Sequence, residues 1–248
     1  MTIKNYILRV LLAVSLTLAT GVSPAVLRAQ ESIPASVDNS KLKYFPPLIN
    51  QIGGSCAQAS YIGYMFTYEM NRLLDRDASE NKDNQFSYLY TWNFINGGVD
   101  EGSLGTDGLQ IAFEGGIATE ADFPSQYTSS QFKWTSGYEN YLKALHYRVK
   151  KIRTFNVLNR EGVDKVRNYL WNRGESGKSG GIVTFSSRSG SWTINTNYSG
   201  PSETGYKALL TKLSPTGAHA MTIVGYDDLV EFETPEGTVS KGAFIVCN

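Results

Sequence analysis

Hydrophobic positions change their period along this chain. From Cys56 onward, Ala59, Ile62, Phe66, Met70 and Leu73 recur at steps of three and four residues, the spacing of one helix face. The pattern predicts a helix from Cys56 to about Leu74, with Ser55 as its N-cap. Upstream, Phe45-Pro46-Pro47-Leu48-Ile49 is expected to be extended, because proline blocks helix and restricts the residue before it. Gln51-Ile52-Gly53-Gly54-Ser55 reads as a turn. Asp75 to Gln85 is charged and loop-like, and the aromatic run Phe86, Tyr88, Tyr90, Trp92, Phe94 predicts a short helix in a core. Asn96 to Gly105 reads as a Gly-rich loop, and Thr106 to Phe113 as a helix stopped by Gly115-Gly116. Thr119 to Pro124 reads as a turn into an extended segment.

After Gln131 the pattern shifts. Tyr147 to Phe155 is β-like, while Arg160 to Asn172 is amphipathic and helical. Gly181 to Phe185, Ala220 to Tyr226 and Gly242 to Asn248 read as strands. Ser186 to Thr211 is polar, a surface loop or hairpin, and Asp227 to Lys241 reads as a long hairpin. A helix-rich front and a strand-rich back predict an α+β chain of two lobes, 45–150 and 151–248, after a short connector at 31–44.

The first thirty residues alter the picture of where the chain works. Lys4 and Arg9 precede an apolar run from Val10 to Val22, followed by Ala25, Leu27 and Ala29. This is the pattern of a cleaved signal peptide, and the run is short for a bilayer span. Export to the periplasm or the extracellular space is expected, with no stable membrane anchor once residues 1–30 are removed. Lys+Arg and Asp+Glu are each 23, so the formal net charge is zero and no basic excess favours nucleic acid. The two cysteines, Cys56 and Cys247, and two histidines, His146 and His219, lack the spacing of a zinc site. A Cys56–Cys247 disulfide is the structural alternative for an exported chain.

Candidate chemistry centres on Cys56. A thiol is a useful nucleophile as thiolate, and the start of a helix offers unpaired N–H groups and a partial positive charge. His219 lies among small residues, Gly217-Ala218 and Ala220, at the head of a strand, where it could accept the thiol proton. Asn248 ends the next apolar strand, and its amide oxygen could hold the imidazole in one tautomer. Gln51 could offer its amide to an oxyanion beside the Cys56 N–H.

Gln51 to Cys56, Gly115 to Pro124, Gly217-Ala218-His219-Ala220 through Tyr226, and Ala243 to Asn248 resemble, in that order, segments of the papain-like cysteine peptidases of papain and cathepsin type. The resemblance spans about residues 44 to 248. It implies the papain-like fold: a helical lobe and a β-barrel-like lobe with an active-site cleft between them. It implies peptide-bond hydrolysis, endopeptidase in type, through a thiolate–imidazolium pair and an acyl-enzyme. Cys56 would be nucleophile, His219 base then acid, Asn248 the orienting group and Gln51 the oxyanion donor. Gly102, Ser103 and Ala218 would line the substrate groove. No metal or other cofactor is implied, the partner is a peptide or protein substrate, and a monomer is expected. The member would carry no large pro-domain, and further strands would follow Asn248. Ala57 stands where the family has Trp, so the alternatives are an inactive homologue that binds peptides or partners, and an acyl-transfer enzyme using the same Cys–His pair.

Other motifs carry less. Gly177-Lys178-Ser179-Gly180-Gly181 matches G-x-S-x-G but follows a helix rather than a strand, and Gly174 to Ser179 is too short for a phosphate loop. His146 reads as a surface or cap histidine. Expressed in an export-competent host, the mature chain should begin close to residue 30, read by intact mass; a product retaining Met1 and the apolar run would contradict the signal assignment.

Overall fold

The computed structural model describes residues 32–126, 132–190, 192–195, 209–212, 215–234 and 236–248. Residues 1–30, where a signal peptide is expected, lie outside them. Through them runs one long helix, α1, in three stretches: α-helical at Cys56–Gln58, π-helical at Ala59–Phe66, α-helical again at Thr67–Leu74. The wider middle turns are visible where the Thr67 N–H reaches back to the Ile62 carbonyl, five residues earlier. This middle stretch is buried on several sides, which suits a helix enclosed by protein. Ala59, Ile62 and Phe66 enter one apolar cluster, and Tyr64 and Tyr68 enter another. The helix ends at Leu74, with Asp75 in the left-handed region.

The first cluster is the helical core. Helix α2 (Tyr88–Ile95) begins where the Ser87 hydroxyl accepts from the Tyr90 N–H at 3.2 Å. It buries Leu89 and Trp92 completely, so the aromatic run is core. Helix α3 (Gly105–Glu114) adds Leu109 and Ala112, and α4 (Tyr138–Ala144) adds Ala144. The 147–155 segment is not a strand. Ile117 N–H donates to the Tyr147 carbonyl and Val149 N–H to Ala112, while Tyr147 and Val149 pack on the helical cluster. Phe155 packs in the cluster of Val166, Leu170 and Tyr226. Its β-forming residues are thus spent on side-chain packing between two cores rather than on a ladder.

The strands assemble around one long member. Strand β1 is Ser36–Asp38, β2 Val183–Ser187, β3 Thr193–Asn195, β4 Leu209–Lys212, β5 His219–Glu233 and β6 Val239–Cys247. β5 is central: β1 and β2 pair antiparallel along one edge, and β6 along the other. β3 and β4 form a separate antiparallel pair within the predicted polar hairpin. Among the described residues the main sheet is open, not barrel-like, because no strand joins β6 back to β2. Helix α5 (Arg160–Asn172), capped by the Asn159 side chain, lays Val166 and Leu170 against Tyr226 of β5.

Tyr68 couples α1 to the segment entering β2, its buried hydroxyl donating to the Gly180 carbonyl at 2.8 Å. That carbonyl also accepts from Arg173. Tyr68→Phe should therefore lower unfolding free energy by only about 1 kcal/mol, whereas Leu170→Ala, at a fully buried site, should cost about 2–5 kcal/mol. Urea denaturation of both variants measures the difference.

Candidate active site

Cys56 is the first residue of α1 and is partly buried. The helix ladder starts with the Ala59 N–H on the Ser55 carbonyl at 2.9 Å, so the amides immediately ahead have no partner within the helix. Ser55 does not cap them. It is fully buried, and its hydroxyl turns away to donate to the Ile52 carbonyl at 2.5 Å. The expected N-cap bond is replaced by one that tightens the turn. From outside, Gly54 N–H donates to Asp100 Oδ1 at 2.6 Å. A side chain at Gly54 would meet the Glu101 carbonyl carbon and oxygen at 2.7 Å, so only glycine lets the 100–102 backbone lie this close.

His219 and Asn248 meet through strand register. β5 and β6 are antiparallel with Thr222 opposite Cys247, so the start of one strand lies beside the end of the other. Asn248 Oδ1 faces His219 Nε2 at 2.5 Å. With an amide oxygen as acceptor, Nε2 carries the proton and Nδ1 is left as the basic nitrogen. Ser187 of β2 pairs with His219 on the opposite edge. The first turn of α1 packs against β5, and Thr222 Oγ1 lies 3.5 Å from the Ser60 carbonyl. The helix start carrying Cys56 and the strand headed by His219 are therefore neighbours.

Trp192 is an addition that the sequence reading passed over. Its ring centroid lies 5.9 Å from that of His219, tilted by 57°. Its indole N–H donates to the Arg188 carbonyl at 2.9 Å, and Arg188 in turn donates to Pro215 at 2.6 Å. Its place as a lone tryptophan in an otherwise polar stretch was the available signal.

The remaining candidates fall at different distances from this pair. Gln51 Nε2 donates to the Gly53 carbonyl at 3.4 Å, a long bond that uses one of its two N–H groups within its own turn. Gly102 is exposed and Ser103 half-buried on the loop before α3; Ala218 is exposed beside His219. His146 is exposed just past α4, apart from the pair. Cys56 and Cys247 are both free thiols, so the alternative disulfide does not form. Cys247 packs with Phe45, Tyr64 and Val224, and burial pushes its thiol pKa up. Two cavities, of about 430 and 240 Å³, have neither Cys56, His219 nor Asn248 in their walls.

No family model matches the sequence, and no curated protein matches it. Among solved structures the chain is similar to xylellain, a cysteine protease from Xylella fastidiosa. The two share 18% identity over 79% of this chain and 71% of that chain, with a TM-score of 0.50. The likeness is one of fold: a mixed helix-and-sheet architecture of the kind the sequence led us to expect.

The two thiols should differ in reactivity. At neutral pH, uncharged iodoacetamide should alkylate Cys56 at least about tenfold faster than Cys247, because only the thiolate reacts and burial opposes it at Cys247. Peptide mapping over time measures this, and equal rates would contradict it.

Proposed function

We propose that this protein is a cysteine peptidase that hydrolyses peptide bonds outside the cytoplasm, with Cys56 as nucleophile and His219 as its proton acceptor. The observation that carries the reading is the His219–Asn248 bond at the head of β5, on the strand against which the Cys56 turn packs. An imidazole whose Nε2 proton is engaged presents Nδ1 as the base. The fold shared with a cysteine protease supports the same reading.

In this mechanism His219 Nδ1 takes the Cys56 proton, giving a thiolate in the positive field of the helix start. The thiolate attacks the scissile carbonyl carbon, and the carbonyl electron pair moves onto oxygen. The Cys56 N–H stabilises that oxyanion, and Gln51 joins it once its amide swings from the Gly53 carbonyl. Collapse expels the amine, which takes the proton from His219 and leaves an acyl-enzyme. Water, deprotonated by the same imidazole, then attacks the thioester and returns the thiol. Asn248 keeps the ring oriented as it alternates between neutral and charged forms, and Trp192 covers part of it. Gly102, Ser103 and Ala218 would form the groove walls, in a cleft between the helical and strand-rich parts.

The present turn of Gln51 toward Gly53 favours a second reading, a homologue that binds peptides without cutting them. Kinetics separate the two. Cys56→Ala should abolish hydrolysis of a mixed peptide library. His219→Ala should lower kcat by about 10²–10⁴-fold, and Asn248→Ala should lower it less, with KM nearly unchanged. Saturable peptide binding with no Cys56-dependent product would establish the binding module instead.

A further inference from the structure

A buried glutamine lies two residues beyond Cys56. Gln58 has no exposed surface, yet every polar group of its side chain is engaged. Its Nε2 donates to Ser103 Oγ at 3.0 Å and to the Leu104 carbonyl at 2.9 Å. Its Oε1 accepts from Thr91 Oγ1 at 3.0 Å. The fit is close on the remaining side, where a side chain at Gly108 would come within 1.8 Å of Oε1. Burying an amide is costly unless it is paired, and an apolar residue of the same shape would pack there without that demand. What the amide adds is a directional link between the helix of Cys56 and both the Ser103 hydroxyl and the Leu104 backbone carbonyl.

The same loop is tied at two further points. Asp100 accepts from Gly54, and the Trp92 indole N–H donates to the Glu101 carbonyl at 2.9 Å. Between these ties Gly102 stays exposed, with no atom beyond its own chain neighbours within 4 Å of where a Cβ would stand. A loop pinned on both sides of a bare backbone residue offers an open edge whose distance from Cys56 is fixed by the ties.

We propose that Gln58 is a positioning residue: it sets the Gly102–Ser103 backbone as one wall of the substrate groove, at a fixed offset from the Cys56 thiol, so that an extended peptide can lie along it. The assignment rests on the cysteine-peptidase reading for its substrate and on Gln58 geometry for the loop. Its role is in holding peptide, not in moving protons.

The test uses Gln58→Met, close to glutamine in volume but without the donor and acceptor, in the full mature chain. Relative to wild type, KM for an unstructured oligopeptide should rise about tenfold, the scale of one lost hydrogen bond, while kcat and the rate of Cys56 alkylation by iodoacetamide stay within about twofold. Hydrogen exchange of the 100–104 amides should quicken by about tenfold or more. A folded variant with unchanged KM and unchanged exchange overturns the proposal, as does a fall in kcat without a change in KM. Should Gln58→Met not fold, Ser103→Ala removes one of the two acceptors from the loop side, and a smaller rise in KM and in exchange is expected; no change in either overturns the proposal. Faster loop exchange in a protein whose wild type cuts no peptide would uphold the loop-positioning role and reject the peptidase reading, so the two failures are distinguishable.

Discussion

The pairing of β5 with β6 is the constraint on which the candidate site depends. Asn248 reaches His219 because the two strands run antiparallel with Thr222 opposite Cys247. A slip of one residue would send Asn248 to the other face, since successive strand residues alternate sides. The same alternation turns Cys247 toward Tyr64 and Val224 while Asn248 faces the imidazole. One register thus decides which end residue faces the ring and which residue packs against the apolar cluster of Tyr64 and Val224. The register itself is held by what lies beneath it: Val224 and Tyr226 are buried on β5 against α1 and α5.

The second half of the site depends on α1. Most helices of small domains bury one stripe, but the middle of α1 serves two apolar clusters. That leaves its first turn fixed between the helical core and the sheet, where an unpaired amide end meets β5. The turn before it is shaped by hydrogen bonds that no propensity rule supplies: Ser55 to Ile52, Gly54 to Asp100. Its neighbour Gln58 ties the opposite loop to the same helix. The Cys56 turn, the head of β5 and the 100–104 loop are in this way referred to one helix.

The two cysteines show how environment separates identical groups. Cys56 stands at a helix start and Cys247 stands in an apolar cluster, where burial disfavours its thiolate. The chain therefore holds one thiol at the first turn of a helix and one in a setting that opposes ionisation, without a disulfide between them.

Local pattern alone determined a good part of this protein. The three-and-four spacing after Cys56 gave α1 to its end at Leu74, the aromatic run gave α2, and the amphipathic stretch gave α5, because periodic burial is written into the order of residues. The strand at His219 and the strand ending at Cys247 were legible from their apolar composition. Tertiary structure decided the rest. The 147–155 segment has β-forming residues but found its partners as side chains in two cores, so no ladder formed. The sheet stayed open because no described strand bridges its edges, which no single segment can announce. Ser55 has the composition of a cap, yet a carbonyl three residues back competed successfully for its hydroxyl. Trp192 over His219 and Gln58 beneath the loop are contacts between distant parts of the chain. Short-range order can be read from neighbours in sequence; who meets whom across the fold depends on packing that only the folded chain resolves.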